Sequence, residues 1–293
     1  MKPSFKIILL LCGILFIIVT INPLFNLFSF SRVLDKDLVI SYGTLISGLF
    51  GPILSLLSIF IIYDSFREQV KNNKEQIFMQ NLNNDIKYLR DYVSLITYND
   101  PASNIILHDK MGERFFIKAK VELYKIYQVV SKNIPDEEDR IGATFEIFYI
   151  GVSENKLETL KSYLGKRANN ESVEKLLKEL RNKKSKFNKR IVYYDGHQGK
   201  LGHYFRQLYY IIETIDNCSL DIKKDDMIKR VIVKMGVYEQ TILCYYSFAF
   251  LGKNWREKNY IDKYGLITSI PKNFLPFDPK KYFEIDFEYE KGR

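Results

Sequence analysis

Between Ile7 and Phe28 no side chain carries a charge, and between Leu38 and Tyr63 none does again. Nothing else in the chain narrows its architecture as much. A helix rises 1.5 Å per residue, so about 20 apolar residues cross the hydrocarbon of a bilayer, and both runs are long enough. Lys2 and Lys6 ahead of the first run would suit a secretion signal, but no small-x-small cleavage site follows. A second run so close behind argues for a retained hairpin. Lys2 and Lys6 precede the first run, Arg32 and Lys36 lie between the two, and Arg67, Lys71 and Lys74 follow the second. Even parity with this bias predicts both termini on the cytoplasmic side of the membrane. The expected organisation is a transmembrane hairpin over 1–66, with spans near 7–28 and 38–63, a cytosolic domain over 67–270 and a tail over 271–293.

Gly43, Ser47, Gly51 and Ser55 recur at intervals of four within the second run. That spacing places four small residues on one stripe, where a neighbouring helix in lipid can approach closely. The partner is either the first span or the same helix of another chain, so a homo-oligomer through this span and the helix after it is one expectation. Pro52 can kink the span.

Beyond Tyr63 no Pro or Gly interrupts the pattern until Pro101, and Met79, Leu82, Ile86, Leu89, Val93 and Ile96 step by three and four. Such a seam predicts a helix that leaves the bilayer and packs on its own domain. Asp100-Pro101 breaks it. Phe115, Phe116, Ala119, Leu123, Ile126, Tyr127 and Val130 keep a helical period over about 112–132, and residues 141–164 read as helical too. From Leu201 to Ile215 an apolar face of Leu201, Tyr204, Phe205, Leu208, Ile211, Ile212 and Ile215 again predicts a helix. One further helix is expected over 226–251, with Gly252 as its cap. Pro271, Pro276 and Pro279 then exclude long helices, and "YFEIDFEYE" alternates apolar with acidic residues, which predicts one short strand or an extended arm. The fold class expected is therefore mainly α, with a strand-like or extended tail.

Once the four basic and three acidic residues of positions 1–66 are taken from totals of 44 and 35, the remainder holds 40 against 32, a net +8. A domain so charged suits an anionic lipid surface or nucleic acid. Residues 161–190 concentrate eleven Lys and Arg against three Glu, yet only Phe187 is aromatic from 164 to 192, which leaves little for stacking bases. The three Cys, at 12, 218 and 244, form neither a disulfide framework nor a metal knuckle.

Reactive residues are sparse. His203 and Arg206, with Tyr204 and Tyr210, sit within two turns and could meet a phosphate or carboxylate, so these four are the candidates for sensing a ligand or partner. Arg206 could equally bridge helices through buried hydrogen bonds. Arg190 and His197 show an R-x6-H spacing that resembles the loose pattern of the all-helical HEPN ribonucleases; they are the candidate catalytic pair of the alternative reading, a membrane-tethered ribonuclease or nucleic-acid binder. Glu284, Asp286 and Glu288 share one face of the tail, which is expected to be solvated, and His197 and His203 lack the Cys companions of a zinc site. With no phosphate-loop, dinucleotide, nucleophile-elbow or H-E-x-x-H motif, neither a metal nor a cofactor is expected, nor an established enzymatic reaction.

Three stretches in order give the chain a likeness. "YGTLISGLFGPILSLLSIFIIYDSFREQ" (42–69), "GERFF" (112–116) and "LGHYFRQLYYIIETID" (201–216) resemble, respectively, the Gly-rich second span running into R-E-Q, the G-R-x-x-F and the h-Y-F-R-x-L-Y-x-x-x-x-x-I-D signature of bacterial phage abortive infection proteins, the abortive infection C-like family. "YEQTILCYYSFAFLGKNW" and "IDKYGLI" look like its downstream helix and tail, so the likeness spans about 38–270. It implies a membrane-anchored antiphage effector whose action stops phage propagation at the expense of the host, triggered by an unidentified phage or host component. The resemblance implies no known reaction, and it lapses over 161–190 and in the tail.

Overall fold

The computed structural model describes residues 13, 17, 36–98, 112–182 and 194–290, and among them the chain is mainly α-helical. It divides into two compact units, Met1–Met79 and Gln80–Arg293.

In the first unit the described chain is the front of α1, which runs Lys36–Leu95 with Pro52 inside it. Ile53, Leu54, Leu56, Ile59, Phe60, Ile61, Ile62, Tyr63 and Phe66 are all exposed along it. Its hydroxyls turn inward instead: Ser47 donates to the Gly43 carbonyl at 2.8 Å, Ser55 to Gly51 at 2.9 Å and Ser58 to Leu54 at 2.8 Å. Each polar side chain thus spends its proton on its own helix. Among the described residues no helix is long and apolar enough to cross a membrane. Apart from Gly13 and Ile17 the expected first span lies outside those residues, and so do the side chains of Leu38, Val39, Tyr42, Leu45, Ile46, Leu49 and Phe50 in the second.

The second unit begins with the last four turns of α1, whose Leu82, Ile86, Leu89, Val93 and Ile96 are all at most 6 % exposed. The predicted seam therefore packs on its own domain. After it come α2 (Glu113–Val130), α3 (Glu137–Ile150), α4 (Leu157–Leu164), α5 (Asn170–Asn182), α6 (Gln198–Asp216), α7 (Lys224–Lys234), α8 (Val237–Phe248), α9 (Lys253–Glu257) and α10 (Tyr260–Tyr264). Every residue of α3 from Ile141 to Ile150 is buried, so this helix is the axis of the core, packed on α2 and α8 and touching α4 and α6. Asp136 caps it by accepting from the Asp139 amide at 2.8 Å, and Glu137, Glu138 and Asp139 fill its first turn, where the helix dipole favours negative charge.

One expectation needs correcting, and of the two readings of the tail one holds. The helix expected over 226–251 is two helices, parted at Met235 and Gly236. Glu239 is the reason: its Oε1 accepts from the Gly236 amide at 3.3 Å, so the charge inside an apolar run starts a new helix. The tail holds no strand among the described residues, although its alternation is real. Phe283, Ile285 and Phe287 are buried while Glu284, Asp286 and Glu288 are exposed, and no neighbouring strand supplies a ladder. The backbone is held by single bonds instead, the Glu288 amide to the Thr268 carbonyl and the Glu284 amide to Asp262 Oδ1, both 2.9 Å. It is an extended arm docked by its apolar face, Phe283, Ile285 and Phe287.

The approach to α6 rests on a crossing. The Val152 amide donates to the Tyr194 carbonyl and the His197 amide to the Tyr149 carbonyl, each at 2.8 Å, and the two segments touch at Gly151 and Gly196. Both glycines have positive φ, +93° and +79°, and a Cβ on either would run into the other's backbone. This contact fixes where His197 and the first turn of α6 lie. The arm gives a test of the core boundary. Phe287 is fully buried, so Phe287→Ala should cost the full-length protein about 3 to 5 kcal/mol in urea unfolding. Asp286→Ala, one residue away and exposed, should stay within about 0.5 kcal/mol.

Candidate functional site

The inner face of α6 buries Leu201, Tyr204, Phe205, Leu208, Ile211, Ile212 and Ile215, as its period predicts, and Phe205 stacks on Tyr246 with ring centres 3.8 Å apart. Two buried polar groups hold that face in place, and its outer face is left to solvent.

At the N-terminus, His197 Nε2 lies 2.9 Å from Glu122 Oε2 on α2, and the Tyr98 hydroxyl donates to the same oxygen at 2.6 Å. Tyr98, Phe115 and Phe148 enclose the imidazole with ring centres 5.6, 5.5 and 4.5 Å away. Tyr194 adds a buried hydroxyl without a hydrogen-bond partner, its pKa pushed up to about 12 by burial and then by the Glu122 charge. Lys200 donates to the Thr97 carbonyl at 2.5 Å, and burial lowers its pKa. The result is a Glu-His pair with a phenol on the shared oxygen, closed over by rings. Arg190, the other half of the R-x6-H spacing, lies outside the described residues.

In the middle of α6, Tyr204 is fully buried and donates to Glu239 Oε2 at 2.9 Å. Arg90 of α1 forks onto the same carboxylate, Nη1 to Oε1 at 2.8 Å and Nη2 to Oε2 at 2.5 Å, and donates to the Lys234 carbonyl at 2.5 Å. Burial, and after it the Glu239 charge, drives the Tyr204 pKa well above the ordinary phenol value. One carboxylate thereby joins α1, α6 and α8 through a bidentate pair, the strong form of such contacts.

His203, Arg206 and Tyr210 stand away from this core. Arg206 is exposed, and among the described residues no carboxylate pairs with it, so the expected bridge of buried hydrogen bonds is absent. That bridging role falls to Arg90 and Arg167. Tyr210 is 53 % exposed. His203 lies edge-on to Tyr88 and Tyr92, with ring centres 5.8 and 4.6 Å away, and its Nε2 is buried with no hydrogen-bond partner. Of the four sensing candidates, then, Tyr204 is a core residue and three share an outer surface.

Much of the described basic segment is spent internally. Arg167, 5 % exposed, donates twice to Glu146 Oε1, at 3.2 Å from Nε and 2.9 Å from Nη2, and also reaches Asp139 and the Phe248 carbonyl. Lys161 pairs with Glu174 at 2.8 Å and Arg181 with Glu154 at 3.0 Å, while Lys166 lies over the rings of Tyr163 and Phe250. In the first unit, Gly43 and Gly51 have open space above them. Among the described residues no cluster of three or more His, Cys, Asp or Glu is placed to hold a metal ion.

Glu122, Glu146, Glu239, Arg90 and Tyr98 were not singled out by the sequence reading. A signal was present for Glu122: it occupies the apolar register of Phe115, Ala119 and Ile126, where a charge demands a buried partner. Glu146, set in "FEIFYI", carries the same signal.

The family model described as putative phage abortive infection protein matches residues 196–275, which begins at the glycine before His197 and covers α6 to α10. No curated protein and no solved structure matches the chain. The family likeness read from the "GHYFRQLYYIIETID" helix and the segments after it is thus found independently, over residues 196–275.

The buried carboxylate and the exposed guanidinium should separate by stability. Glu239→Ala strands Arg90 and Tyr204, so urea unfolding of the full-length protein should show a loss of about 3 to 5 kcal/mol. Arg206→Gln, on the surface of the same assembly, should change it by less than about 0.5 kcal/mol.

Proposed function

We propose that the chain is an abortive infection effector anchored in the bacterial inner membrane, non-enzymatic, that senses infection through its second unit and acts through its apolar N-terminal region. The observation that carries the reading is the row of large apolar side chains from Ile53 to Phe66, exposed on a helix whose Ser47, Ser55 and Ser58 hydroxyls bond to their own backbone. Protein surfaces seldom leave such a row in water, and satisfied hydroxyls are what a lipid environment demands. The family match over 196–275 supplies the biological context. Residues 7–28 would complete a hairpin with both termini in the cytoplasm, and the stripe of Gly43, Ser47, Gly51 and Ser55 is where it, or a second copy, would pack.

Helix α1 supplies both the apolar row and, further on, the buried seam Leu82 to Ile96. A trigger that binds one state of the second unit more tightly than another would shift the population of the two, and the shared helix carries that difference to the bilayer. Cells expressing the full chain should lose membrane potential after phage infection and before lysis, followed with a potential-sensitive dye. An unchanged potential through cell death would sink the membrane-acting mechanism. Gly51→Leu, which blocks the stripe, should abolish protection without loss of expression. The tethered ribonuclease is weakened by the enclosure of His197 between Phe115, Phe148 and Tyr98. His197→Gln keeps a partner for Glu122 and is expected to retain protection in a plating assay; a well-folded variant that has lost it would favour the ribonuclease.

A further inference from the structure

Gly202 and Arg206 stand one turn apart on α6, on the same side of the helix. A Cβ at Gly202 would lie 2.9 Å from the Tyr149 hydroxyl oxygen and 3.6 Å from Arg206 Nη1. The phenol of α3 therefore already packs on the buried backbone of Gly202, and the guanidinium of α6 lies beside it. The Tyr149 hydroxyl has no hydrogen-bond partner among the described residues, and Arg206 has no carboxylate there. The same guanidinium charge also reaches the hydroxyls of Tyr92 and Tyr246, and no acidic group figures among the charges acting on any of these three phenols. Tyr92 and Tyr246 have already given their protons, to the Lys200 carbonyl at 2.6 Å and the Leu251 carbonyl at 2.9 Å, so they serve as walls and not as donors. One turn back, His203 Nε2 is a further polar atom without a partner, beside the Tyr92 ring.

From this convergence we infer that the exposed edge of α6 at Arg206 is a binding site for a phosphate-class oxyanion, held by the Arg206 guanidinium and the Tyr149 hydroxyl. An oxyanion accepts two hydrogen bonds from a guanidinium fork. A phosphate then offers a third oxygen, out of the plane of the fork, to the Tyr149 hydroxyl, where a planar carboxylate could only share one of its two, as Glu239 Oε2 does with Arg90 and Tyr204. Among the described residues no carboxylate pairs with Arg206 to compete with a doubly charged group. A soluble phosphate ester and the headgroup of an anionic lipid share this chemistry. The inference deepens the sensing role proposed for the second unit by naming the class of ligand, and it rests on that reading only for its biological purpose.

The test uses the full-length protein in phosphatidylcholine nanodiscs. It is titrated calorimetrically with inorganic phosphate and with AMP, and assayed separately for retention on vesicles containing phosphatidic acid against vesicles of phosphatidylcholine alone. Binding in the calorimeter identifies a soluble ligand; retention on phosphatidic acid without calorimetric binding identifies a headgroup. In whichever arm responds, Arg206→Gln should weaken binding by about tenfold or more, as expected for lost charge-assisted hydrogen bonds. Tyr149→Phe, which removes one oxygen and no charge, should weaken it less. Lys229→Gln, an exposed cation lost from α7, should change nothing. No response in any arm at millimolar ligand, or an Arg206→Gln protein that binds as the unaltered one does, overturns the inference. Binding is read on purified protein and protection by plating. A phosphate binder that does not protect therefore refutes the defence reading alone, and a protective protein that binds no phosphate refutes this one alone.

Discussion

A single buried carboxylate organises the second unit. Glu239, 3 % exposed, takes two hydrogen bonds from the Arg90 fork and one from Tyr204, while its Oε1 also receives the amide that starts α8. A charge removed from water is tolerated only when it is matched in this way. Once it is matched, the end of α1, the middle of α6 and the beginning of α8 have one permitted arrangement. Apolar burial alone is less particular, since hydrophobic faces of similar volume can slide. The pair Glu146 and Arg167 does the same for α3 and the loop after α4, with the Phe250 amide adding a third partner at 3.2 Å.

What the sequence discloses follows from how local each signal is. The seam Leu82 to Ile96, the apolar face of α2 and the inner face of α6 are repeats over three or four residues, and each lies buried where its period places it. The docked arm also obeys its period of two, but alternation specifies only which side chains turn inward, and a strand additionally needs a neighbour. The polar groups are another matter. Arg90 and Glu239 are 149 positions apart, and Glu122 and His197 are 75 apart. No spacing rule reaches that far, so a lone charge in an apolar register announces that a partner exists without naming it. Arg206 shows the converse: the bridge of buried hydrogen bonds open to it in the sequence is made by Arg90, on a different element.

The basic stretch illustrates why composition is a weak guide to a partner. Read as charge alone, 161–190 suits an anionic polymer. In the fold Arg167 is a core residue, Lys161 and Arg181 face glutamates, and Lys166 covers two aromatic rings. Exposed ion pairs of that kind add little stability, on the order of 0 to 1 kcal/mol. They do, however, lower the field that a nucleic acid would meet, and the segment lacks the aromatic platform on which bases stack.

These contacts also say how occupancy of the α6 surface would be felt elsewhere. The last turns of α1 touch α6 at successive levels: Tyr88 and Tyr92 against His203, the Tyr92 hydroxyl on the Lys200 carbonyl, and Arg90 through Glu239 to Tyr204. Tyr92 is shared, since its ring meets His203 and its hydroxyl senses the Arg206 charge. An anion held by Arg206 would lie beside Tyr92, a residue two positions from Arg90. Because Arg90 is held by a fork and not by a sliding apolar contact, a shift at Tyr92 is either resisted entirely or passed on as a discrete change in the fork. A bistable element of that sort is what a switch requires, and α1 is the helix that also bears the exposed apolar row.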